Sequence, residues 1–296
     1  MKDYRVVYVD AFSQVPYAGN PCAVLPDARG LSDGQMQAIA RETNLSETSF
    51  VFPSTQADYR VRYFTPRGEL PFAGHPTIAT AFLLAQEGRV ALQGAVTTIR
   101  LEFNIGVLPV EIHSQAGRPT RVVMTQQAPS FGPVFTAAET APCFSLETAD
   151  LRSDCPPQVV STGVPFLIVP ARDLAVLQRV RLQREALAAL CTRAGVAAAF
   201  MFCLGGFDPR ADTHARLLDP AASHEDPYTG SAAGCMGAYI VHYGLRPGPI
   251  LVAEQGHIIG RPGQGQLEVL GSPGHVQAVR LGGAAITVLD GTLYVP

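Results

Sequence analysis

Four side chains stand where proton chemistry could be done: Glu47, His75, Asp226 and Ser231. His75 lies in the run Glu69-Leu70-Pro71-Phe72-Ala73-Gly74-His75-Pro76-Thr77, and Ser231 in Glu225-Asp226-Pro227-Tyr228-Thr229-Gly230-Ser231-Ala232-Ala233. Glu, Pro, aromatic and Gly fall at the same offsets in both runs, which lie about 150 residues apart. Each run feeds an apolar segment that reads as a helix. A glycine turn at a helix start aims unpaired N–H groups outward, a setting for a carboxylate or phosphate. The same helix start disfavours an imidazolium, so His75 is expected to stay neutral and able to accept or pass a proton. Taken alone, Asp226 is a turn or cap residue and Ser231 an N-cap. Glu47, in Leu45-Ser46-Glu47-Thr48-Ser49-Phe50, stands just before an apolar strand, where a lone Glu is ordinarily solvated or salt-bridged.

The elements that must position these groups come twice. Residues 4–12 read as a strand, followed by a turn at Gly19-Asn20-Pro21 and a second strand. Ser32-Asp33-Gly34-Gln35 is a capping-box pattern opening a short amphipathic helix that ends near Asn44. Strands at Thr48–Phe52 and Tyr59–Phe64 precede the first glycine turn. The helix after it, with Pro76 in its first turn and Gly88 at its end, is apolar all round, so it should be buried on every side and wrapped by strands. Two further strands are expected over 97–113.

The order then restarts. Gly163-Val164-Pro165-Phe166 echoes Gly19-Asn20-Pro21-Cys22, and a helix over Arg184–Arg193 echoes residues 32–44. Ala199-Phe200-Met201-Phe202 echoes Ser49-Phe50-Val51-Phe52, and Arg216-Leu217-Leu218-Asp219-Pro220 echoes Arg62-Tyr63-Phe64-Thr65-Pro66. A helix to about Tyr243 follows the second glycine turn, and the tail, 248–296, is strand-like without a helix. Ordered blocks at long period indicate a duplicated fold. The Phe alignment sets Ala197 opposite Glu47, so one half carries an acid where the other carries none. If the halves face each other, a carboxylate held between the two helix starts would have its neighbouring C–H protons acidified. A partly buried Glu beside it would be shifted toward neutrality, suited to move such a proton.

Bulk properties agree with this reading. At 296 residues two domains are the better prior, and 47% hydrophobic content suffices for two cores. A net charge of −3 and no run of Lys and Arg argue against nucleic acid and anionic membrane as partners. The six cysteines form no CxxC pair and no metal-like spacing with histidine, so a reduced cytosolic protein with buried thiols is expected. The N-terminus reads as a strand and not as a signal peptide, and no apolar stretch is long enough to span a bilayer. Gly-x-Ser-x-Gly, the P-loop and a strand-linked GxGxxG are all missing.

The chain resembles the phenazine-biosynthesis PhzF-like isomerase family nearly end to end. The resemblance rests on Asp10-Ala11-Phe12 through Gly19-Asn20-Pro21, on Glu42 through Phe50, on Phe64-Thr65-Pro66 and both glycine runs, and on Glu254-Gln255-Gly256 with Gly260-Arg261-Pro262. It implies an α+β, diaminopimelate-epimerase-like fold of two duplicated domains, each a barrel-like sheet around a central helix with a cleft between. The expected boundaries are 1–117 plus about 276–296, and 118–275. It further implies a cytoplasmic homodimer that needs no metal or cofactor and acts on a small cyclic or amino-acid-like carboxylate. By the family pattern Glu47 is the proton-transferring acid/base, completed by His75, Asp226 and Ser231. Ser46, Gly74 and Gly230 contact substrate, with Asn20 and Tyr228 beside them; Tyr228 stands where the family often has a small residue.

Where related epimerases place a thiol beside each glycine turn, this chain has Ala73 and Thr229. That favours a one-base double-bond shift or tautomerisation. The rivals are an amino-acid epimerase using Glu47 and Asp226 on opposite faces, and a non-catalytic carboxylate-binding protein on an inherited scaffold.

Overall fold

In the computed structural model, which describes residues 1–296, the chain divides into two compact units. Unit 1 comprises Met1–Met124 with Gly282–Pro296, and unit 2 comprises Thr125–Leu281. The elements of unit 1 are β1 (Lys2–Ala11), β2 (Asn20–Leu25), α1 (Asp33–Thr43), β3 (Glu47–Phe52), β4 (Tyr59–Phe64), β5 (Glu69–Leu70), α2 (Gly74–Gln86), β6 (Val96–Phe103) and β7 (Gly106–Gln115). After β8 (Arg118–Thr125) come β9 (Ser130–Val134), α3 (Ala137–Thr140), β10 (Gln158–Ser161), β11 (Pro165–Pro170), α4 (Leu174–Arg179), α5 (Arg184–Ala194), β12 (Ala199–Leu204), β13 (Thr213–Leu218), α6 (Gly230–His242), β14 (Ile250–Gln255), β15 (Gly263–Ser272), β16 (His275–Gly283) and β17 (Ala285–Val295).

The duplication read from sequence is a duplication of topology. In unit 1 the ladder runs β17–β1–β2–β3–β4–β6–β7, parallel at β2/β3 and β4/β6 and antiparallel elsewhere. In unit 2 it runs β9–β10–β11–β12–β13–β14–β15, parallel at β11/β12 and β13/β14 and antiparallel elsewhere. Register refines the alignment by one residue. Leu25 pairs with Phe50 and Phe50 with Arg62; Val169 pairs with Met201 and Met201 with Arg216. Phe50 therefore corresponds to Met201, and the counterpart of Glu47 is Ala198, not Ala197. The run Val196–Cys203 is apolar on both faces, so side-chain pattern alone carries no phase there.

Local chemistry sets the elements. Ser32 and Gln35 form the reciprocal capping box at the start of α1, and Asn44 closes the helix in the left-handed conformation (φ 50°). Helix α2 is buried at every position from His75 to Ala85, which its apolar surface requires. Three hydroxyl pairs set its neighbourhood: Tyr63 with Thr77 at 2.7 Å, Ser49 with Thr80 at 2.7 Å, and Thr43 with Thr48 at 2.8 Å. The first two cross from β4 and β3 to the helix. Helix α6 fills the same role in unit 2, buried from Ala232 to Val241. The tail is strand-rich as expected, with one short 3-10 turn at His257–Ile259. No helix is long and apolar enough to cross a membrane.

One further pairing repeats. Arg62 of β4 grips Glu69 through two bonds of 2.7 Å each, and Arg216 of β13 grips Glu225 in the same forked way. The Glu that opens each glycine run is thus a strut, tied to the preceding strand by a bidentate ion pair. Both pairs are largely shielded: side-chain exposure is 18% and 26% in the first, 11% and 24% in the second.

Candidate active site

Unit 1 gathers Asn20, Glu47 and His75. The backbone bend that delivers Asn20 needs a glycine before it. Gly19 has φ +64°, and a Cβ there would sit 2.2 Å from the Ala11 carbonyl oxygen. Asp10 supports the same loop by accepting the Tyr17 N–H at 2.8 Å. Asn20 then starts β2, fully buried, with Nδ2 3.2 Å from His75 Nδ1. Glu47 starts β3, beside Cys22 of β2 in the parallel ladder. His75 is the second residue of α2.

The imidazole is held neutral. Burial drives its pKa down to about 3, against a smaller upward pull from the Pro21 carbonyl. An amide nitrogen can only donate, so Asn20 Nδ2 makes Nδ1 the acceptor and leaves the ring proton on Nε2. Nε2 lies 3.3 Å from Glu47 Oε2. The Glu47 side chain keeps 18% of its surface exposed and His75 8%, so the side chain reaches part-way outward with the imidazole behind it; the 3.3 Å approach is a close contact that lies outside hydrogen-bond geometry. This is the order of groups a proton-transfer site needs: orienter, neutral imidazole, accessible carboxylate.

Gly74 opens α2 beside this cluster. Its φ is not positive, and an added Cβ would meet only Met124 Cε at an ordinary 3.7 Å. Neither backbone conformation nor internal crowding calls for glycine there. The N-cap residue, Ala73, supplies no side-chain acceptor, so nothing at the cap covers the first-turn amides. Ser46 is exposed.

Unit 2 holds Asp226, Tyr228, Gly230 and Ser231. Asp226 Oδ2 accepts the Thr229 hydroxyl at 2.6 Å. Gln255, in the Glu254-Gln255-Gly256 motif, clamps this turn: Oε1 accepts the Thr229 N–H at 2.8 Å, and Nε2 donates to the Asp226 carbonyl at 2.7 Å. Gly256 (φ +85°) lets the two segments meet, since a Cβ there would lie 2.6 Å from the Pro227 carbonyl. Gln126 donates to the Gly230 carbonyl at 2.9 Å. Helix α6 also lacks a side-chain cap, and Ser231 is partly exposed in its first turn. Tyr228, expected at the substrate, is 1% exposed, with its hydroxyl directed at the Ala253 carbonyl. Its ring is a core element of unit 2 and is left out of the site proposed below.

Gln126 escaped sequence reasoning, and Gln255 entered it only as part of a motif, without this role. Amides are common in loops, and only the tertiary turn shows what these two clamp. All six cysteines are free and buried. Burial raises the Cys22 thiol well above its ordinary range, with the Glu47 charge adding to the shift, and pushes Cys235 up to about 11. Neither is a thiolate near neutral pH.

The scaffold is α+β and diaminopimelate-epimerase-like, and the relatives below make the chain an enzyme of the isomerase type. The chain belongs to the family described as phenazine biosynthesis-like protein, which it matches over residues 9–291. It is 33% identical over 296 residues to trans-2,3-dihydro-3-hydroxyanthranilate isomerase of Pseudomonas aeruginosa, covering 98% of this chain and 99% of that one. The crystal structure of a PhzF-family phenazine biosynthesis protein from Bacillus anthracis superimposes with TM-score 0.90 at 32% identity over 100% of both chains. A hydroxyproline epimerase from Agrobacterium vitis shares the fold at TM-score 0.64 and 13% identity, covering 99% of this chain and 91% of that one.

Proposed function

We propose that this protein moves a proton within a small cyclic or amino-acid-like carboxylate by general acid–base chemistry, shifting a double bond or tautomer. Glu47 takes a proton from carbon, the freed electron pair moves into the adjacent π system, and Glu47 returns the proton to another carbon of the same face. His75 faces the carboxylate with Nε2, close enough to donate to it after a small side-chain shift, and Asn20 holds His75. The first-turn amides of α2 at Gly74 suit the anionic end of the substrate. In unit 2 the start of α6 at Gly230, with Ser231 and Asp226, has the same chemical character. The observation that carries the proposal is the part-exposed Glu47 carboxylate 3.3 Å from a buried neutral imidazole. We further propose a homodimer, which light scattering in solution would test.

Trans-2,3-dihydro-3-hydroxyanthranilate, the compound in the name of the Pseudomonas relative, is the first probe, followed by a thermal-shift screen of small carboxylates. In deuterated water, turnover should move the double bond and place deuterium at the carbon that gains the proton to the extent that the proton on Glu47 exchanges with solvent before its return. Glu47→Gln should lower kcat by about 10²–10⁴-fold while ligand affinity is retained. A Glu47→Gln protein that turns over at the wild-type rate refutes the proposal. Exchange at an α-carbon with inversion and no bond shift would identify epimerisation instead.

A further inference from the structure

A second cluster, wholly inside unit 2, has no part in the proton chemistry above. His214 of β13 and Glu254 of β14 are direct partners in the parallel ladder, and His257 follows in the 3-10 turn after β14. One ligand atom from each, two imidazole nitrogens and a carboxylate oxygen, lies within 4.8 Å of the other two. His214 Nδ1 is 3.5 Å from Glu254 Oε2, and His257 Nε2 is 3.7 Å from Glu254 Oε1.

The surroundings are built around the carboxylate. Phe207 and Asp208 donate their N–H groups to its two oxygens at 2.8 and 3.0 Å. Gly206 makes room for that wrap: a Cβ there would fall 2.3 Å from Glu254 Oε2. Phe207 stacks on His257 with ring centroids 4.9 Å apart and meets the His214 ring edge-on at 5.0 Å. Two walls of the cluster are therefore fixed by backbone and one by an aromatic ring.

His214 is the anomaly. It is completely buried, yet neither ring nitrogen has a hydrogen-bond partner. At 3.5 Å its approach to Glu254 is too long for a good hydrogen bond. A buried polar group without a partner costs about 1–3 kcal/mol, and the fold retains it on a rigid strand opposite a buried carboxylate. A cation removes the anomaly. Ligands at about 2.0–2.1 Å around a tetrahedral ion lie roughly 3.3 Å from one another. The imidazole–carboxylate separations here, 3.5 Å to Oε2 and 3.7 Å to Oε1, are within a few tenths of an ångström of that figure, and all three ligand groups offer atoms within 4.8 Å of one another.

We propose that His214, Glu254 and His257 form a site for a borderline divalent cation of the Zn²⁺ class. Two imidazoles with one carboxylate suit Zn²⁺ or its transition-metal neighbours, whereas Mg²⁺ and Ca²⁺ prefer sets made of oxygen. His257 retains 22% side-chain exposure, so ion entry and a fourth, solvent ligand come from its side. The loaded site ties the 205–208 loop and the 3-10 turn to β13 and β14, which makes it a strut for unit 2. It is independent of the proposed proton transfer.

The test is Zn²⁺ binding to the full chain, stripped with chelator and dialysed, by calorimetry and metal analysis near pH 7.5. One equivalent should bind with a rise in Tm, and Mg²⁺ should do neither. His257→Ala, at a partly exposed position, should weaken Zn²⁺ by about 100-fold or more with the circular dichroism spectrum unchanged. Glu254→Gln should abolish binding, and His224→Ala, at an exposed histidine, should change nothing. Co²⁺ should give visible d–d absorption in the wild type that His257→Ala lacks. Wild-type protein that binds no Zn²⁺, or His257→Ala that binds it as wild type does, overturns the proposal; so does equal weakening by His224→Ala, which would mean scattered surface sites.

Discussion

The two units differ least where they fold and most where chemistry is possible. Both carry the same order of parallel and antiparallel ladders, the same forked Arg–Glu strut, and a buried 13-residue helix opening on glycine. At the entry to the fourth ladder strand, unit 1 has Glu47, part-exposed, and unit 2 has Ala198, 3% exposed. At the second residue of the helix, unit 1 has buried His75 and unit 2 has part-exposed Ser231. What packing demands has been kept twice, and the acid with its imidazole has been kept once. A one-base reaction needs no more. The two-base epimerase would draw its second acid, Asp226, from a turn in which that carboxylate already accepts the Thr229 hydroxyl.

The largest effect should come from exchanging the unlike residues. Glu47→Ala should lower turnover by about 10²–10⁴-fold, up to roughly 5 kcal/mol of barrier, with little change in thermal stability. Ala198→Glu should do the reverse kind of damage. It buries a carboxyl group in unit 2 with no partner, at a cost of about 3 kcal/mol or more in urea denaturation, whatever its effect on rate. Were Ala198→Glu as stable as wild type, the two strand entries would differ by drift and not by function, and the contrast drawn above would lose its force.

The next effect concerns a likeness. Arg62→Met and Arg216→Met keep the apolar stem and remove the fork, leaving Glu69 or Glu225 charged and half-buried. Each should cost about 2–3 kcal/mol. Arg62 also binds Asp33 at 2.7 Å, and Arg216 the Leu177 carbonyl at 2.7 Å, so each strut reaches one further element. The hydrogen bonds from Arg62 hold the Glu69 pKa below the ordinary carboxylate range. The Arg62 strut should therefore weaken as pH falls through that depressed value, and Arg62→Met should abolish this acid sensitivity.

Much of this was legible in the chain. The twin glycine runs, the all-apolar α2, the capping box at Ser32 and the thiol-free turns follow from local chemistry that tertiary structure does not override. Register was legible only to within one residue, because Val196–Cys203 offers two apolar faces. The struts were visible as residues but not as pairs: a two-residue insertion sets Arg216 and Glu225 nine apart where Arg62 and Glu69 are seven apart. The motif places Tyr228 beside the substrate without fixing which way its ring points. The structure buries it, 1% exposed, because a large ring gains more from burial than from solvent. His214, Glu254 and His257 were invisible as a cluster, because a parallel ladder between strands about 40 residues apart leaves no spacing to read.

His75 gives a smaller effect with a definite sign. Its folded pKa of about 3 lies below the ordinary 6.5, so the unfolded chain binds the extra proton first. Its contribution to stability is complete above about pH 6.5 and is lost as pH falls toward 3, with a slope of up to about 1.4 kcal/mol per pH unit. His75→Gln should flatten that slope by up to this amount between pH 6 and 4, measured by urea denaturation at each pH. Ser231, its counterpart, does not titrate, so Ser231→Ala should leave the slope alone. An unchanged slope in His75→Gln would mean that the ring is already protonated in the folded state, and the neutral imidazole beside Glu47 would be lost with it.

The smallest effect separates the two central helices. Four residues into α2 stands Ile78; four residues into α6 stands Gly234. A Cβ on Gly234 would overlap the Gln126 side chain, with Oε1 only 1.7 Å away, and that side chain donates to the Gly230 carbonyl at 2.9 Å. Gly234→Ala should therefore displace Gln126 and give up its bond to the helix start, a loss of about 1 kcal/mol beyond any strain. Against that, alanine gains about 1 kcal/mol of helix propensity. In the wild-type background the lost bond offsets the propensity gain, and the remaining strain of moving Gln126 should leave a small net destabilisation. In a Gln126→Ala background nothing remains to displace, and the same substitution should stabilise by about the propensity gain. The reversal of sign between backgrounds is what a denaturation midpoint would read. If Gly234→Ala stabilises both proteins alike, Gln126 is not what keeps glycine in α6, and the clamp on Gly230 falls with it.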